Sequence, residues 1–226
     1  MRFLVLGNGK TGSVVAELAK QRHHRVEVLT GAQNKDACAL TSERLNNCDV
    51  VIDFTTPGAV MANISACVRA KKNMVVGTTG WHASLEPVRH EVEVAGIGFL
   101  YAANFSIGLN IFLDAARQAS EAIKHDYLAQ IFERHHKEKK DAPSGTALVL
   151  REAVREVSGV VPEIISFREG DVVGLHELVF DSPNDRIYLC HDSKSRRGFA
   201  EGAVLGAEWV ALRRGFFHFR DVWREF

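Results

Sequence analysis

The feature that most restricts the fold is the opening strand, turn and helix. Phe3-Leu-Val-Leu6 is a continuous apolar run, as a strand buried on both faces requires. It leads directly into Gly7-Asn-Gly-Lys-Thr-Gly12, after which Ser13 to Lys20 carries apolar residues at helical spacing. Val26-Glu-Val-Leu29 supplies a second strand. A G-x-G-x-x-G pattern in this setting opens a dinucleotide-binding unit. Its first glycine permits the tight turn, its second lets backbone approach a pyrophosphate, and its third lets helix and strand pack closely. Gly7, Asn8, Gly9, Lys10, Thr11 and Gly12 are therefore the candidate pyrophosphate loop. Glycine turns also serve packing alone, so the flanking strand and helix carry this reading.

The end of the second strand departs from the NAD pattern, in which an acidic residue binds the adenosine ribose. Here Leu29-Thr-Gly-Ala-Gln-Asn-Lys35 follows, with no carboxylate until Asp36, and Glu27 lies inside the strand. Thr30, Asn34 and Lys35 are candidates to hold a 2′-phosphate. That favours NADPH, with use of NADH also expected; the alternative is a plain polar loop.

Three further strands alternate with helical segments. Asp49–Pro57, a strand ending in a turn, precedes a helix over 58–70; Asn73–Gly80, a strand ending in a small-residue loop, precedes one over 84–94; and Gly98–Phe105 closes the series. Such alternation predicts a parallel doubly wound sheet. The small residues Gly77, Thr78 and Thr79 fall beyond a strand end, where backbone can reach a nicotinamide. A long amphipathic helix is predicted over Ser106–Ile123. The pattern then changes. Ala129–Phe132, Glu163–Arg168, Val172–Phe180 and Arg186–His191 read as strands, the last two a hairpin about Ser182-Pro-Asn-Asp185. The expected fold class is α/β: a Rossmann-like dinucleotide-binding domain over 1–105 and 199–226, with a smaller α+β domain over 106–198. A closing helix is predicted over Ala203–Leu212, and the aromatic segment Phe216–Trp223 is expected to pack on the first domain as core.

Lys plus Arg and Asp plus Glu are equal at 28 each. This balance argues against a nucleic-acid or membrane-surface partner. Cys38, Cys48, Cys67 and Cys190 are scattered without C-x-x-C spacing. They fit a reducing cytosol, with no disulfide framework and no metal site expected. The opening apolar run is too short for a signal peptide or membrane span.

Chemistry concentrates in Glu133-Arg-His-His-Lys-Glu-Lys-Lys-Asp-Ala-Pro-Ser-Gly-Thr146. Histidine gives and takes protons near neutral pH, and lysine supplies positive charge for an anion. Pro-Ser-Gly-Thr runs into the apolar-periodic Ala147–Val157, so the Gly145 and Thr146 N–H groups fall in a first helical turn, where carboxylate or phosphate binds. A solvated basic loop is the bland alternative.

This stretch resembles the signature of the dihydrodipicolinate reductase family, Glu-x-His-His-x-x-Lys-x-Asp-x-Pro-Ser-Gly-Thr-Ala, with every fixed position filled. Ile-Asp-Phe-Thr-x-Pro, Gly77-Thr-Thr-Gly80, Ala102-Ala-Asn-Phe-Ser106, Arg168–His176 and Ser195–Ala203 resemble the family as well. The resemblance implies NAD(P)H-dependent reduction of a small dicarboxylate, dihydrodipicolinate or its hydroxylated precursor, in lysine and diaminopimelate biosynthesis. It implies His135 as acid/base and Lys139 as a second charge-stabilising or proton-donating group. His136, Gly145, Thr146 and Arg196 would bind substrate. Gly77, Thr78, Thr79, Ala102, Ala103, Asn104 and Phe105 would contact the nicotinamide half of the cofactor. It also implies a cytoplasmic homotetramer assembled through the second domain. Two rivals remain: another NAD(P)-dependent reductase or amino-acid dehydrogenase, and a non-catalytic nucleotide sensor.

Overall fold

The computed structural model describes Met1 to Phe226. The chain divides into two units, Met1–Ile107 with Arg196–Phe226, and Gly108–Ser195. In chain order the first contains β1 (Arg2–Leu6), α1 (Gly12–Gln21), β2 (Arg25–Leu29), α2 (Ser42–Asn46), β3 (Val50–Asp53), α3 (Pro57–Arg69), β4 (Asn73–Val76), α4 (Leu85–Ala95) and β5 (Gly98–Tyr101). The second is built from α5 (Ile107–Ala119), β6 (Leu128–His135), α6 (Gly145–Ser158), β7 (Glu163–Arg168), β8 (Leu175–Asp181) and β9 (Arg186–Asp192). The chain then completes the first unit with α7 (Arg197–Val210), β10 (Gly215–His218) and α8 (Phe219–Val222). No helix is long and apolar enough to cross a membrane.

The first sheet has the order β10-β5-β4-β3-β1-β2, and all its pairings are parallel. Its strands read as unbroken apolar runs because successive side chains enter two different cores. Phe3, Val5, Val50, Ile52, Val75 and Leu100 face a layer closed by α1 and α7. Leu4, Leu6, Val51, Met74, Val76 and Phe99 face a layer closed by α3 and α4. Each such side chain contributes about 1.5–3 kcal/mol relative to exposure. The strand order reverses direction between β1 and β3, which is where ligands bind in open sheets of this kind.

Three sequence expectations need adjustment. The helix expected from Ser106 to Ile123 ends as α-helix at Ala119 and tightens into a 3₁₀ turn over Ser120–His125. The closing helix begins at Arg197, six residues before Ala203, so Arg-Gly-Phe is helical and not loop. The aromatic tail is more than core: Gly215–His218 is a parallel edge strand on β5, with Phe216 stacked on Phe99 at 5.1 Å between ring centroids.

The second sheet, β7-β6-β8-β9, is mixed, with β7 parallel to β6 and the other pairings antiparallel. One face is covered by α5 and α6 through Leu109, Phe112, Leu113, Leu150 and Val154, packed on Ile131, Leu178 and Phe180. Strand β6 continues past Phe132 to His135. Its inward residues change from Ile131 to Glu133 to His135, all buried.

Candidate functional site

In the first unit a cavity of about 260 Å³ is lined by Gly9, Lys10, Thr11, Gly12, Phe54, Thr55, Pro57, Gly77, Thr78 and Thr79. These residues follow β1, β3 and β4, so the cavity lies at the carboxyl ends of the strands beside the reversal of strand order. Gly7 shapes the turn: its φ is +95°, and a Cβ there would meet the Phe54 carbonyl oxygen at 2.2 Å. Any side chain at this position would push the turn off β3. In the first turn of α1 the Ser13 N–H donates to Gly9 O at 3.1 Å and the Val15 N–H to Thr11 O at 3.0 Å, so the loop is closed onto the helix start, the kind of terminus that suits a pyrophosphate.

A buried carboxylate braces this cavity. Asp53, fully buried, accepts from Thr78 Oγ1 at 2.6 Å, Thr55 Oγ1 at 2.7 Å, Thr55 N at 3.0 Å and Asn63 Nδ2 at 2.8 Å. Asn63 Oδ1 in turn accepts from Asn34 Nδ2 at 2.9 Å, and Asn34 Oδ1 accepts from Ala39 N at 3.1 Å. Asn34 is thus buried and committed to Asn63, which corrects its assignment to a 2′-phosphate. Thr30 and Lys35 are left from that set, and Glu27 is paired with Arg44 at 3.0 Å. The Thr78 hydroxyl is likewise spent: it donates to Asp53 and accepts from Thr55 N at 2.7 Å. The signal for Asp53 in the sequence is a carboxylate ending an otherwise apolar strand.

Gly7, Asn8, Ala102, Ala103, Asn104 and Phe105 do not line the cavity. Phe105 is a core side chain, with its ring 4.9 Å from that of Phe219. Ala102 is buried, Ala103 exposed, and Asn104 Oδ1 accepts from Ser106 N at 2.8 Å. Arg196 precedes α7 in the first unit.

In the second unit, sheet register assembles a polar patch from four strands. Glu133 lies opposite Ser166 on β7 and His176 on β8, and His176 lies opposite His191 on β9. His135 lies opposite Arg168. A Cβ on Gly174 would lie 3.0 Å from His135 Nε2, so a side chain there would crowd that nitrogen. One register step toward the other end of the sheet the same face is Ile131, Ile164, Leu178 and Leu189, which is apolar core.

The patch is wired by short contacts. His135 Nδ1 is hydrogen-bonded to Glu133 Oε2. Arg168 Nη2 donates to Glu133 Oε1 at 2.8 Å and to the Asp141 carbonyl at 2.6 Å. Lys139 Nζ pairs with the Asp141 carboxylate at 2.8 and 2.9 Å. Burial by itself would raise the Glu133 carboxyl, but hydrogen bonds from Arg168, Ser166 and His135 outweigh it and hold the pKa at about 2. Burial pulls His135 below the ordinary histidine value against the opposing pull of Glu133. Burial, then His135, depresses His176 to about 3.

Glu133, His135 and His176 place their donor atoms within 4.8 Å of one another, the composition of a metal site. Their one carboxylate is already neutralised by Arg168, and Lys139 acts electrostatically on His135 as well. A metal ion there would meet positive charge that the protein already supplies.

Beside this patch, Ser144 caps α6. Its side chain accepts from Ala147 N at 3.2 Å and lies 3.1 Å from His176 Nε2. Capping leaves Gly145 N–H and Thr146 N–H without intrahelical acceptors, on an exposed and a half-buried residue respectively. His136 is half-buried and anchored by its backbone N–H to Val172 O at 2.8 Å. The second unit thus brings together His135, His136, Lys139, Gly145 and Thr146. Glu133, Arg168, Ser144 and His176 were not identified from the sequence as members of this group.

Comparison with known proteins agrees across the chain. Residues 1–105 match the family described as dihydrodipicolinate reductase, N-terminus, and residues 108–223 match its C-terminus. A 4-hydroxy-tetrahydrodipicolinate reductase of Christiangramia forsetii is 33% identical over 98% of this chain and 97% of its own. One from Laribacter hongkongensis is 38% identical over 79% of this chain and 74% of its own. Among solved structures, dipicolinate-bound dihydrodipicolinate reductase from Paenisporosarcina shares the fold at a TM-score of 0.79 and 24% identity. That match covers 98% of this chain and 99% of the other.

Proposed function

Because this chain belongs to the dihydrodipicolinate reductase family, we propose that it is a 4-hydroxy-tetrahydrodipicolinate reductase, an NAD(P)H-dependent oxidoreductase of lysine and diaminopimelate biosynthesis. The 4-hydroxyl of the substrate leaves as water, which gives the conjugated carbon–nitrogen system of dihydrodipicolinate, and a bound NAD(P)H would supply hydride to it. The negative charge that builds there is quenched by a proton, so dihydrodipicolinate gains one hydride and one proton and the overall change releases one water. His135 supplies the proton, and Lys139 stabilises the charge or serves as a second donor. The observation that carries this assignment is the buried Glu133–His135 pair beside the start of α6. An acid/base group and free helix N–H donors for carboxylates occur together there. A dianionic substrate raises the proton affinity of the neighbouring imidazole, which suits His135 to act as an acid once substrate is bound.

His136 and the N–H groups of Gly145 and Thr146 hold the substrate carboxylates, with Arg196 as a further anion-binding group. The nucleotide lies on the Gly7–Gly12 loop and on Gly77, Thr78 and Thr79, with Ala102, Ala103, Asn104 and Phe105 contributing backbone at the nicotinamide end. NADPH is favoured over NADH: no carboxylate ends β2, and Thr30 and Lys35 lie beyond it. The assembly is a homotetramer formed on the uncovered face of the second sheet, where Leu128, Phe132, Ile165, Phe167, Val179 and Tyr188 alternate with polar groups. Leu128 is 78% exposed in the single chain, a cost that association would remove. A cytoplasmic setting accords with four free cysteines.

The test follows the hydride. NADPH and NADH deuterated at C4 are supplied with substrate made in situ from pyruvate and aspartate semialdehyde. Deuterium in the tetrahydrodipicolinate product, by mass spectrometry, is the expected result, with the larger kcat/KM for NADPH. Unlabelled product, or no oxidation of either nucleotide, contradicts the assignment.

A further inference from the structure

The geometry points to Glu133 and Ser144 as two positioning residues: Glu133 fixes the His135 imidazole with its Nδ1 proton turned inward and Nε2 presented for proton transfer, and Ser144, tied to His176, fixes the helix end that receives the substrate carboxylates. This rests on the reading of His135 as the acid. The Glu133 carboxylate is fully buried and held by Arg168 on its other oxygen, so it cannot rotate away from the imidazole. The Nδ1–Glu133 hydrogen bond leaves Nε2 as the free nitrogen, in the space kept open by Gly174. A partner that fixes the tautomer of an acid/base histidine also stabilises its protonated form.

The second arm begins one strand away. His176 is held neutral by burial, and its Nε2 contacts Ser144 Oγ, which also accepts from Ala147 N. The sheet row that fixes the acid therefore also fixes the first turn of α6. The charged and titratable groups around His135 are Glu133 on β6, Arg168 on β7, His176 on β8 with His191 behind it on β9, and Lys139 and Asp141 in the following loop. Of these, only Glu133 accepts a hydrogen bond from the ring.

The two arms predict different kinetic signatures. Glu133→Gln lowers kcat roughly 100-fold with KM changed less than threefold, the scale of one general acid. It also moves the pH above which kcat falls downward by about one unit, because the anion that favours protonated His135 is gone. Glu133→Asp, which keeps the charge, restores part of both. Ser144→Ala raises substrate KM roughly fivefold to tenfold at nearly unchanged kcat, the scale of one lost N-cap. If Glu133→Gln does not fold, ¹⁵N NMR of the native protein, with the His135 signal assigned by its loss in His135→Asn, reads the tautomer directly. An Nδ1-protonated neutral ring is expected, and an Nε2-protonated one overturns the proposal. A wild-type pH profile in Glu133→Gln also overturns it while leaving His135 as the acid. Undiminished kcat in His135→Asn instead removes the acid assignment on which the proposal stands.

Discussion

Asp53 and Glu133 are both carboxylates without exposed surface, each near the carboxyl end of a sheet strand, and the protein surrounds them differently. Asp53 is satisfied by two hydroxyls, a backbone N–H and a side-chain amide, with no cation among its hydrogen-bond partners. Glu133 is satisfied by a guanidinium and an imidazole, with the Ser166 hydroxyl beside them. Neutral donors fix geometry, so the Asp53 network sets the shape of the loops that carry Thr55 and Thr78. Charged and titratable donors couple geometry to proton affinity, so the Glu133 network bears on the proton affinity of His135. Burial alone does not distinguish an anchor from a catalytic group; the protonation behaviour of the partners does.

The comparison breaks most readily at Asp53. Asp53→Ala strands donors on Thr55, Thr78 and Asn63 and is expected to cost about 3 kcal/mol in urea unfolding, with weaker nucleotide binding. A loss under 1 kcal/mol would show that the neutral network is not an anchor. The next largest effect is at the α6 start. Gly145→Pro removes one N–H while keeping the helix, because proline suits the first helical position, Ser144 is already extended and nothing lies within 4 Å of a Cβ there. Substrate KM should rise roughly tenfold or more, the worth of one charge-assisted hydrogen bond, without loss of thermal stability.

A smaller effect sharpens the titratable side. His176 has a folded pKa of about 3, below its unfolded value, so between these the unfolded chain binds the extra proton and stability falls as pH drops below about 6.5. Glu133, depressed to about 2, adds loss in the same direction once pH passes below the ordinary carboxyl range. Urea midpoints measured from pH 7 to pH 4 should fall. His176→Gln should flatten the slope by up to about 1 kcal/mol per pH unit. An unchanged slope would remove His176 from the titrating set. Least affected is the Arg44–Glu27 pair, where removing its exposed partner by Glu27→Ala should change stability by about 0.5 kcal/mol or less.

Much of the first unit was legible because its strands are apolar on both faces and its turns are marked by glycine. The start of α6 was legible too, since Ser144 before Gly145 and Thr146 is a cap followed by helical periodicity. The end of β6 was not. The strand was expected to end at Phe132, whereas it runs on to His135 with Glu133 and His135 buried. The partners Arg168 and His176 lie more than 30 residues along the chain from His135 or Glu133, and only sheet register brings them together. Asn34 was misassigned because a polar residue in a loop gives no sign that Asn63 will bury it. The β10 strand was hidden by aromatic residues that serve equally as core and as sheet edge.

The division of labour between the two carboxylate networks is tested most directly by measuring kcat and nucleotide Kd together in His135→Asn and Asp53→Asn. The account predicts that His135→Asn binds nucleotide normally and loses turnover by roughly 100-fold or more, whereas Asp53→Asn binds nucleotide more weakly and keeps most of its kcat at saturation. Full kcat in His135→Asn, or equal loss of both quantities in the two variants, would contradict it.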